Sequence, residues 1–462
     1  MKEYDVIVIG AGGGVKLVLP AADLGYKVAL VEKERAGGTC LNRGCIPSKM
    51  LIHPADVMTI IREARRFGIS VFDVQADFSG MVQWVSKTVD QESASIPPNY
   101  YKHPNVDYYN REARFVSENV LMIDGQRITA KKIFLAVGAR PNIPPIKGLE
   151  KTPYMTYREA LRNTKRPEKL LVIGGGYIAA ELGFFYGALG TKVQFLVRSE
   201  LLRKEDRDIR KEFARVFEKK FSVHYGWHPL EVSFQDNAFH LQCQKDTGEK
   251  GVFTSDALLV VTGVVPWTDS LGLEHTGIEI DACGYIKVDD YLQTTQPGVW
   301  AFGDCIGRYL YRHTANFEGE YLFRTLFKEP SREPIAYPPV PHAIFSHPQI
   351  GSVGKKEDDL TREGREYIVG KNNYADSAMG MALRSDYGFA KLLFDKKDRT
   401  LIGAHIIGEE ASDMIHMLIA FMYKKATVDD LNHMIYIHPA LPEIVRNAAR
   451  KALKAFEKQE DS

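Results

Sequence analysis

The chain has little cysteine: five in 462 residues. That is well below the density of a secreted scaffold held together by disulfides. Three of the five, Cys243, Cys283 and Cys305, stand alone, so the sequence spells out no four-ligand zinc set and no metal is expected. Net charge is also nearly missing. Sixty basic side chains face fifty-nine acidic ones, giving +1, which removes the electrostatic basis for binding nucleic acid or an anionic membrane. Long apolar runs are absent too: Ala257 to Val265 is among the longest and falls far short of the ~18 residues of a membrane span. No charged-then-apolar leader precedes the first strand-like stretch, Tyr4 to Ile9, so the expectation is a cytoplasmic chain without a signal peptide. What remains, 45% hydrophobic and 26% charged, is an ordinary globular composition with room for about three domains.

The other two cysteines lie close together. Gly37-Gly38-Thr39-Cys40-Leu41-Asn42-Arg43-Gly44-Cys45-Ile46-Pro47-Ser48-Lys49 sets both thiols among glycines and a proline. On a regular helix two such positions lie about 8 Å apart at Cα, beyond the ~7 Å limit for bridging cysteines. Cys40 and Cys45 can therefore pair only across a distorted turn, and Gly37, Gly38 and Gly44 supply the freedom for one. A strained disulfide is easier to reduce than a structural staple, so the stretch reads as a redox dithiol.

Upstream, the apolar run Tyr4 to Ile9 opens through Gly10-Ala11-Gly12-Gly13-Gly14, and a second strand, Lys27 to Val31, ends at Glu32. A strand opening through glycines onto a helix presents backbone N–H groups to a pyrophosphate, and the acid can hold a ribose. The fit is imperfect: the third glycine of G-x-G-x-x-G falls on Val15, and Pro20 interrupts the first helix, which is expected to be kinked or displaced. His53 to Tyr101 reads as helical scaffold, with Val57, Ile60, Ile61, Met81, Val82, Trp84 and Val85 at helical spacing. Val106 to Ile128 alternates like a β-meander, Lys132 to Gly138 is a buried strand, and Pro141 to Pro145 is a stiff linker.

Leu170 to Ile173, Gly174-Gly175-Gly176 and Tyr177-Ile178 repeat the strand–glycine–helix unit, so the dinucleotide fold is duplicated. The next strand, Lys192 to Val197, ends without an acid and is followed by Arg198 and Arg203. Arginine pairs with a 2′-phosphate where a carboxylate would repel it, which leans toward NADP. The alternative is that both arginines are solvated and Glu200 takes the ribose of NAD. Asp256 to Gly263 is a further strand-to-glycine unit, and Thr294 to Asp304 places a carboxylate after a buried strand. Beyond Tyr337 come Phe345 to Gly351, strands over Gly388 to Phe394 and Leu401 to Ile407, and a helix over Ala411 to Lys424. The last informative stretch is Ile437-His438-Pro439-Ala440-Leu441-Pro442-Glu443.

Together these motifs resemble, over nearly the whole chain, the FAD-dependent pyridine nucleotide-disulfide oxidoreductases, the family of dihydrolipoamide dehydrogenase, glutathione reductase and mycothione reductase. The resemblance implies an α/β fold: two Rossmann-like dinucleotide-binding domains plus a C-terminal α+β dimerisation domain. The expected spans are 1–147 and 267–336 for the FAD domain, 148–266 for the NAD(P) domain and 337–462 for the dimer-interface domain. It implies FAD on Gly10, Gly12, Gly14, Glu32, Lys33, Gly38, Thr39, Lys49, Ala113, Gly138, Asp304, Arg312 and His313. NAD or NADP would lie on Gly174, Gly176, Tyr177, Ile178, Glu181, Val197, Arg198, Arg203 and Gly263.

By the same resemblance, Cys40 exchanges with the substrate disulfide while Cys45 faces the flavin as the thiolate. Lys49 pairs with Glu181 beside the flavin. His438, oriented by Glu443 and preceding a cis proline, serves the dithiol of the opposite subunit in a homodimer. The implied activity is interconversion of a dithiol and its disulfide, first as a dihydrolipoamide dehydrogenase. An NADPH-dependent reductase of a low-molecular-weight disulfide is the alternative, and a non-catalytic flavin-binding redox sensor the second. The substrate is lipoamide or another thiol, free or carrier-bound. Val264 and Trp267 depart from the family's arginine and asparagine, which leaves the nicotinamide site the least defined part.

Overall fold

The computed structural model describes residues 1–329 and 333–460; residues 330–332, within the expected 267–336 span, and 461–462 lie outside the described residues. The first half begins with β1 (Lys2–Ile9), α1 (Val15–Asp23), β2 (Val28–Val31), α2 (Gly38–Arg43), α3 (Cys45–Glu63) and α4 (Phe78–Ser95). It continues with β3 (Val106–Tyr109), β4 (Arg114–Ser117), β5 (Val120–Ile123) and β6 (Gln126–Leu135). Val6, Ile7 and Val8 are fully buried, as expected of a strand covered on both faces of a parallel sheet. The sheet order is β3-β2-β1-β6-β5-β4, and a later strand, Val299–Ala301, returns to pair with β6. The expected meander is thus only partly formed: β3 joins β2 in parallel, and the antiparallel run is confined to β4, β5 and β6.

One further expectation is corrected. The scaffold helices bury Leu51, Ile52 and Ala55, then Val82, Val85 and Val89, whereas Val57, Ile60 and Trp84 face outward. The first helix spans Val15–Asp23 with Pro20 inside it. Its close packing falls on Gly14 and not on residue 15: a Cβ there would lie 2.2 Å from the Gly10 carbonyl oxygen and 2.6 Å from Val8 Cγ1.

β7 (Ala139–Pro141) leads out to β8 (Lys169–Ile173), α5 (Tyr177–Ala188), β9 (Lys192–Val197), α6 (Arg207–Phe217) and β10 (Ser222–Tyr225). Strands β11 (Trp227–Gln235), β12 (Ala238–Lys245), β13 (Lys250–Ser255), β14 (Ala257–Val260) and β15 (Val264–Pro266) follow, and β15 pairs antiparallel with β7. The order β10-β9-β8-β14 repeats β3-β2-β1-β6 with every pair parallel, so the duplication read from the glycines is structural.

After β16 (Val299–Ala301) and α7 (Arg312–Phe323), the last part is a five-stranded antiparallel sheet. It comprises β17 (Pro341–Ile344), β18 (Ile350–Gly354), β19 (Tyr367–Asn373), β20 (Phe389–Asp395) and β21 (Leu401–Ile407). Helix α8 (Glu357–Glu363) interrupts it, and α9 (Ala411–Tyr423) and α10 (Glu443–Glu460) cover it around a core of Ile406, Leu418, Ile444 and Ala448. This sheet is bolted to the part of the chain built on β8–β14 by Lys391. The side chain is wholly buried, with Nζ 2.7 Å from Asp206 and 3.2 Å from Asp208, and it also bonds Glu357. The three carboxylates have metal-like spacing, but the lysine ammonium occupies their centre.

Candidate active site

The dithiol sits on a break between two helices. Helix α2 ends at Arg43, Gly44 adopts φ −138° and ψ −119°, and α3 starts on Cys45. Gly37 and Gly38 enter α2 with φ of +97° and +65°, which only glycine adopts without strain. Buried Asn42 anchors the turn by donating to the carbonyls of Ala36 (2.9 Å) and Gly38 (3.0 Å). A Cβ on Gly44 would lie 3.0 Å from the Thr39 oxygen and 3.2 Å from Cys40 Cα, so glycine permits the close return. Both cysteines are free thiols here. The neighbouring Cys45 thiol, with Arg312 and Lys49 assisting against burial, lowers Cys40 to about 7, and the same coupling pushes Cys45 up. The two titrate as a pair. The resemblance puts the thiolate on Cys45.

One cavity runs from Glu32 to the dithiol. Gly10, Gly12, Glu32, Lys33, Gly38, Thr39, Lys49, Ala113, Gly138, Asp304 and Arg312 all line it, as do both cysteines, Tyr177, Ile178 and Glu181. At its waist the backbones nearly touch: a Cβ on Gly38 would lie 2.6 Å from Gly12 Cα, and one on Gly10 would lie 2.3 Å from the Ala136 oxygen. An acid at one end, a glycine waist and a lysine–carboxylate group beside the thiols fit a flavin dinucleotide laid along the cavity. Glu32 accepts N–H bonds from Ala11 (2.8 Å) and Glu34 (2.9 Å), and burial raises its pKa. Burial likewise lifts Asp304 to about 6 against the opposing pull of Arg312. Lys49 Nζ is 2.7 Å from Glu181 and 4.6 Å from the Phe345 ring centroid, and Glu181 also accepts the Phe345 N–H at 3.0 Å.

Two residues expected at the flavin do not line the cavity. Gly14 packs α1 on β1, and His313 bonds the Pro341 carbonyl (2.9 Å) while stacking on Tyr311. Sequence reasoning missed Tyr157, Glu34 and Arg43, which do line it, and Arg158, whose guanidinium reaches Glu34 at 2.7 Å. Trp267, noted only as a departure, lines the cavity with Lys33 4.0 Å and Arg158 5.2 Å from its ring. No local signal in the sequence joins these residues.

Of the nicotinamide residues, Tyr177, Ile178 and Glu181 place the start of α5 at the dithiol. Gly174, with φ +142°, closes against the Val261 oxygen, and buried Val197 packs under Gly175. Gly174, Gly176, Val197, Arg198, Arg203 and Gly263 lie outside the cavity lining. Arg198 and Arg203 are exposed, whereas Glu200 is paired with Arg210 at 3.1 Å.

At the C-terminal end His438 Nδ1 lies 3.0 and 3.1 Å from the two oxygens of buried Glu443, after which comes a cis His438–Pro439 bond. Burial alone would raise the Glu443 carboxyl, but His438, the Ala440 N–H and Arg446 hold it below the usual range. His438 is 70% exposed and does not line the cavity of its own chain.

This geometry is that of a two-dinucleotide disulfide oxidoreductase. The family described as pyridine nucleotide-disulphide oxidoreductase matches residues 4–319, and its dimerisation domain matches residues 340–449; the chain belongs to this family. It is 34% identical to a dihydrolipoyl dehydrogenase of Bacillus subtilis, over 98% of this chain and 97% of that one. It is equally 34% identical to a mycothione reductase of Mycobacterium tuberculosis, over 97% and 99%. Among solved structures, the Cu(II) complex of the HOCl-induced flavoprotein disulfide reductase RclA from Escherichia coli superposes with TM-score 0.87 at 27% identity, covering 97% of this chain and 99% of that one. The protein is thus an FAD-dependent disulfide oxidoreductase that uses a pyridine nucleotide. No described helix is long and apolar enough to cross a membrane.

Proposed function

We propose that the enzyme draws electrons from NADPH and reduces a low-molecular-weight disulfide. The observation that carries this reading is the charge on the loop after β9. Glu200 is spent on Arg210 at 3.1 Å, while Arg198 and Arg203 have no carboxylate partner among the described residues. Two unneutralised guanidiniums favour a 2′-phosphate over a ribose hydroxyl. Dihydrolipoamide oxidation with NAD is the second reading, supported by the Bacillus relative.

Bound FAD supplies electron transfer between the nicotinamide and the dithiol. The residues do the rest. Lys49, held by Glu181, fixes a positive charge beside the thiols. Reduction of the Cys40–Cys45 disulfide takes two electrons and leaves Cys40, the more acidic thiol, to attack the substrate disulfide. The attack joins Cys40 to one substrate sulfur and breaks the substrate S–S bond, and His438, contributed by a second copy and oriented by Glu443, gives its proton to the departing thiolate. The Cys45 thiolate then attacks Cys40, closing the Cys40–Cys45 disulfide and releasing the second substrate thiol. Ile435 and Ile437, 96% and 80% exposed on either side of Tyr436, fit burial against that copy.

Steady-state turnover with NADPH and NADH, each paired with lipoamide and with a small glutathione- or mycothiol-type disulfide, tests the reading. Preference for NADPH with the small disulfide is expected. NADH turnover with lipoamide alone would replace it with the dehydrogenase reading.

A further inference from the structure

The loop that meets the coenzyme is not held by its own domain alone. The Leu202 N–H donates to the Gly175 oxygen at 2.7 Å. A Cβ on Gly175 would lie 3.2 Å from the Glu200 oxygen, so the loop rests directly on the glycine turn that opens α5. Glu200 is the one carboxylate between Val197 and Lys204. Arg210, on α6, reaches up to it. Its Nη1 is 3.1 Å from Glu200 and donates to the Arg203 carbonyl at 3.3 Å, while Nη2 is 3.1 Å from Asp358 on α8 of the dimerisation domain. From the same domain, Lys356 donates to the Lys204 carbonyl at 3.0 Å.

We propose that Arg210 is a positioning residue that sets coenzyme choice, with Asp358 holding it in place from the dimerisation domain. The inference rests on the NADPH reading and deepens it. A guanidinium presents donors along two edges of a rigid plane, and here one edge takes Glu200 and the Arg203 backbone while the other takes Asp358. Glu200 is thereby kept from Arg198 and Arg203, which are left without a carboxylate partner among the described residues and open to a 2′-phosphate. Without Arg210 the carboxylate is free to accept from a ribose 2′-hydroxyl and to repel a phosphate.

The test uses the flavin-loaded full chain at one ionic strength. Arg210→Gln is expected to raise KM for NADPH, lower it for NADH and leave kcat nearly unchanged. The NADPH:NADH ratio of kcat/KM then falls about three- to fivefold, the range of a half-exposed ion pair. Adding Glu200→Gln should restore the ratio, which loss of a merely structural contact would not allow. Asp358→Asn, which leaves Arg210 in place, should shift the ratio in the same direction by less, and it carries the test if Arg210→Gln does not retain flavin. An unchanged ratio, an equal loss with both coenzymes, or no rescue by Glu200→Gln overturns the proposal. Preference of the unmutated enzyme for NADH would overturn the NADPH reading itself, before any variant is compared.

Discussion

Replacing Lys391 with methionine isolates the electrostatics of the bolt between the β8–β14 unit and the dimerisation sheet. Methionine keeps nearly the volume of the lysine stem, so the change removes a charge and leaves little cavity. In the folded chain Asp206 is fully buried beside Nζ at 2.7 Å, and Glu357 is almost as buried. Leaving buried carboxylates without their cation costs about 3–5 kcal/mol. Asp208 keeps Lys371 (3.3 Å) and Glu357 keeps Arg207 (2.8 Å), which places the expectation near ~3 kcal/mol. That corresponds to roughly 6 °C in midpoint at the low sensitivity of large domains.

The pH dependence follows from the carboxylates. Burial would raise Asp206, but His405 and Lys391 hold it below its ordinary value. In the parent protein its contribution is present above the unfolded pKa and is lost only as pH falls through the depressed folded one. In Lys391→Met burial prevails and the folded pKa rises above the unfolded one. The penalty is then full at neutral pH and relieved on acidification. Urea unfolding, followed by circular dichroism at pH 7.5 and pH 5, should show the gap to the parent narrowing at the lower pH. A gap under about 1 kcal/mol, or one of equal size at both pH values, would refute the reasoning.

Three other outcomes are expected. Alkylation of Cys40 in the reduced enzyme should rise with pH and reach half its maximum rate near pH 7, and Cys45→Ala should move that midpoint upward by removing the neighbouring thiol; an unmoved midpoint would exclude that thiol as the cause. Gly14→Ala forces a methyl to within 2.2 Å of the Gly10 oxygen, so the purified protein should lose most of its flavin absorbance, and full occupancy would show that α1 can shift at no cost. Glu443→Gln removes the charge that orients His438 and should cut turnover about tenfold or more while altering the pH–rate profile; an unchanged profile would remove the pair from catalysis.

The parts of this molecule legible in its sequence are those where backbone and chemistry coincide locally. Gly10, Gly37, Gly38, Gly44 and Gly174 are glycines because their dihedrals or contacts admit nothing else. Strands such as Val28–Val31 are buried on both faces and read as continuous apolar runs. The failures are non-local. Val106–Tyr109 looks alike whether it pairs with β2 or with a hairpin partner, and only the assembled sheet decides. Lys391 meets Asp206 across 185 positions and Arg210 meets Asp358 across 148, so neither cluster leaves a local pattern. Trp267 could be read as a departure but not as the platform for Lys33 and Arg158.

The two-stranded ribbon of β7 and β15 carries a consequence for how such a chain can change. The polypeptide leaves the first sheet's unit at Pro141 and re-enters it at Val264, directly opposite in register, with the Asn142 N–H bonded to the Gly263 oxygen at 3.0 Å. Everything between hangs from one doorway, as an insertion whose ends already touch. Such a segment can be exchanged for a relative's as a cassette only if it keeps Glu181 for Lys49 and Arg158 for Glu34, the contacts it makes along the cavity. A second constraint lies in the C-terminal sheet: a transplanted cassette that does not bring partners for Lys391 and Asp358 would arrive with the loop after β9 untethered.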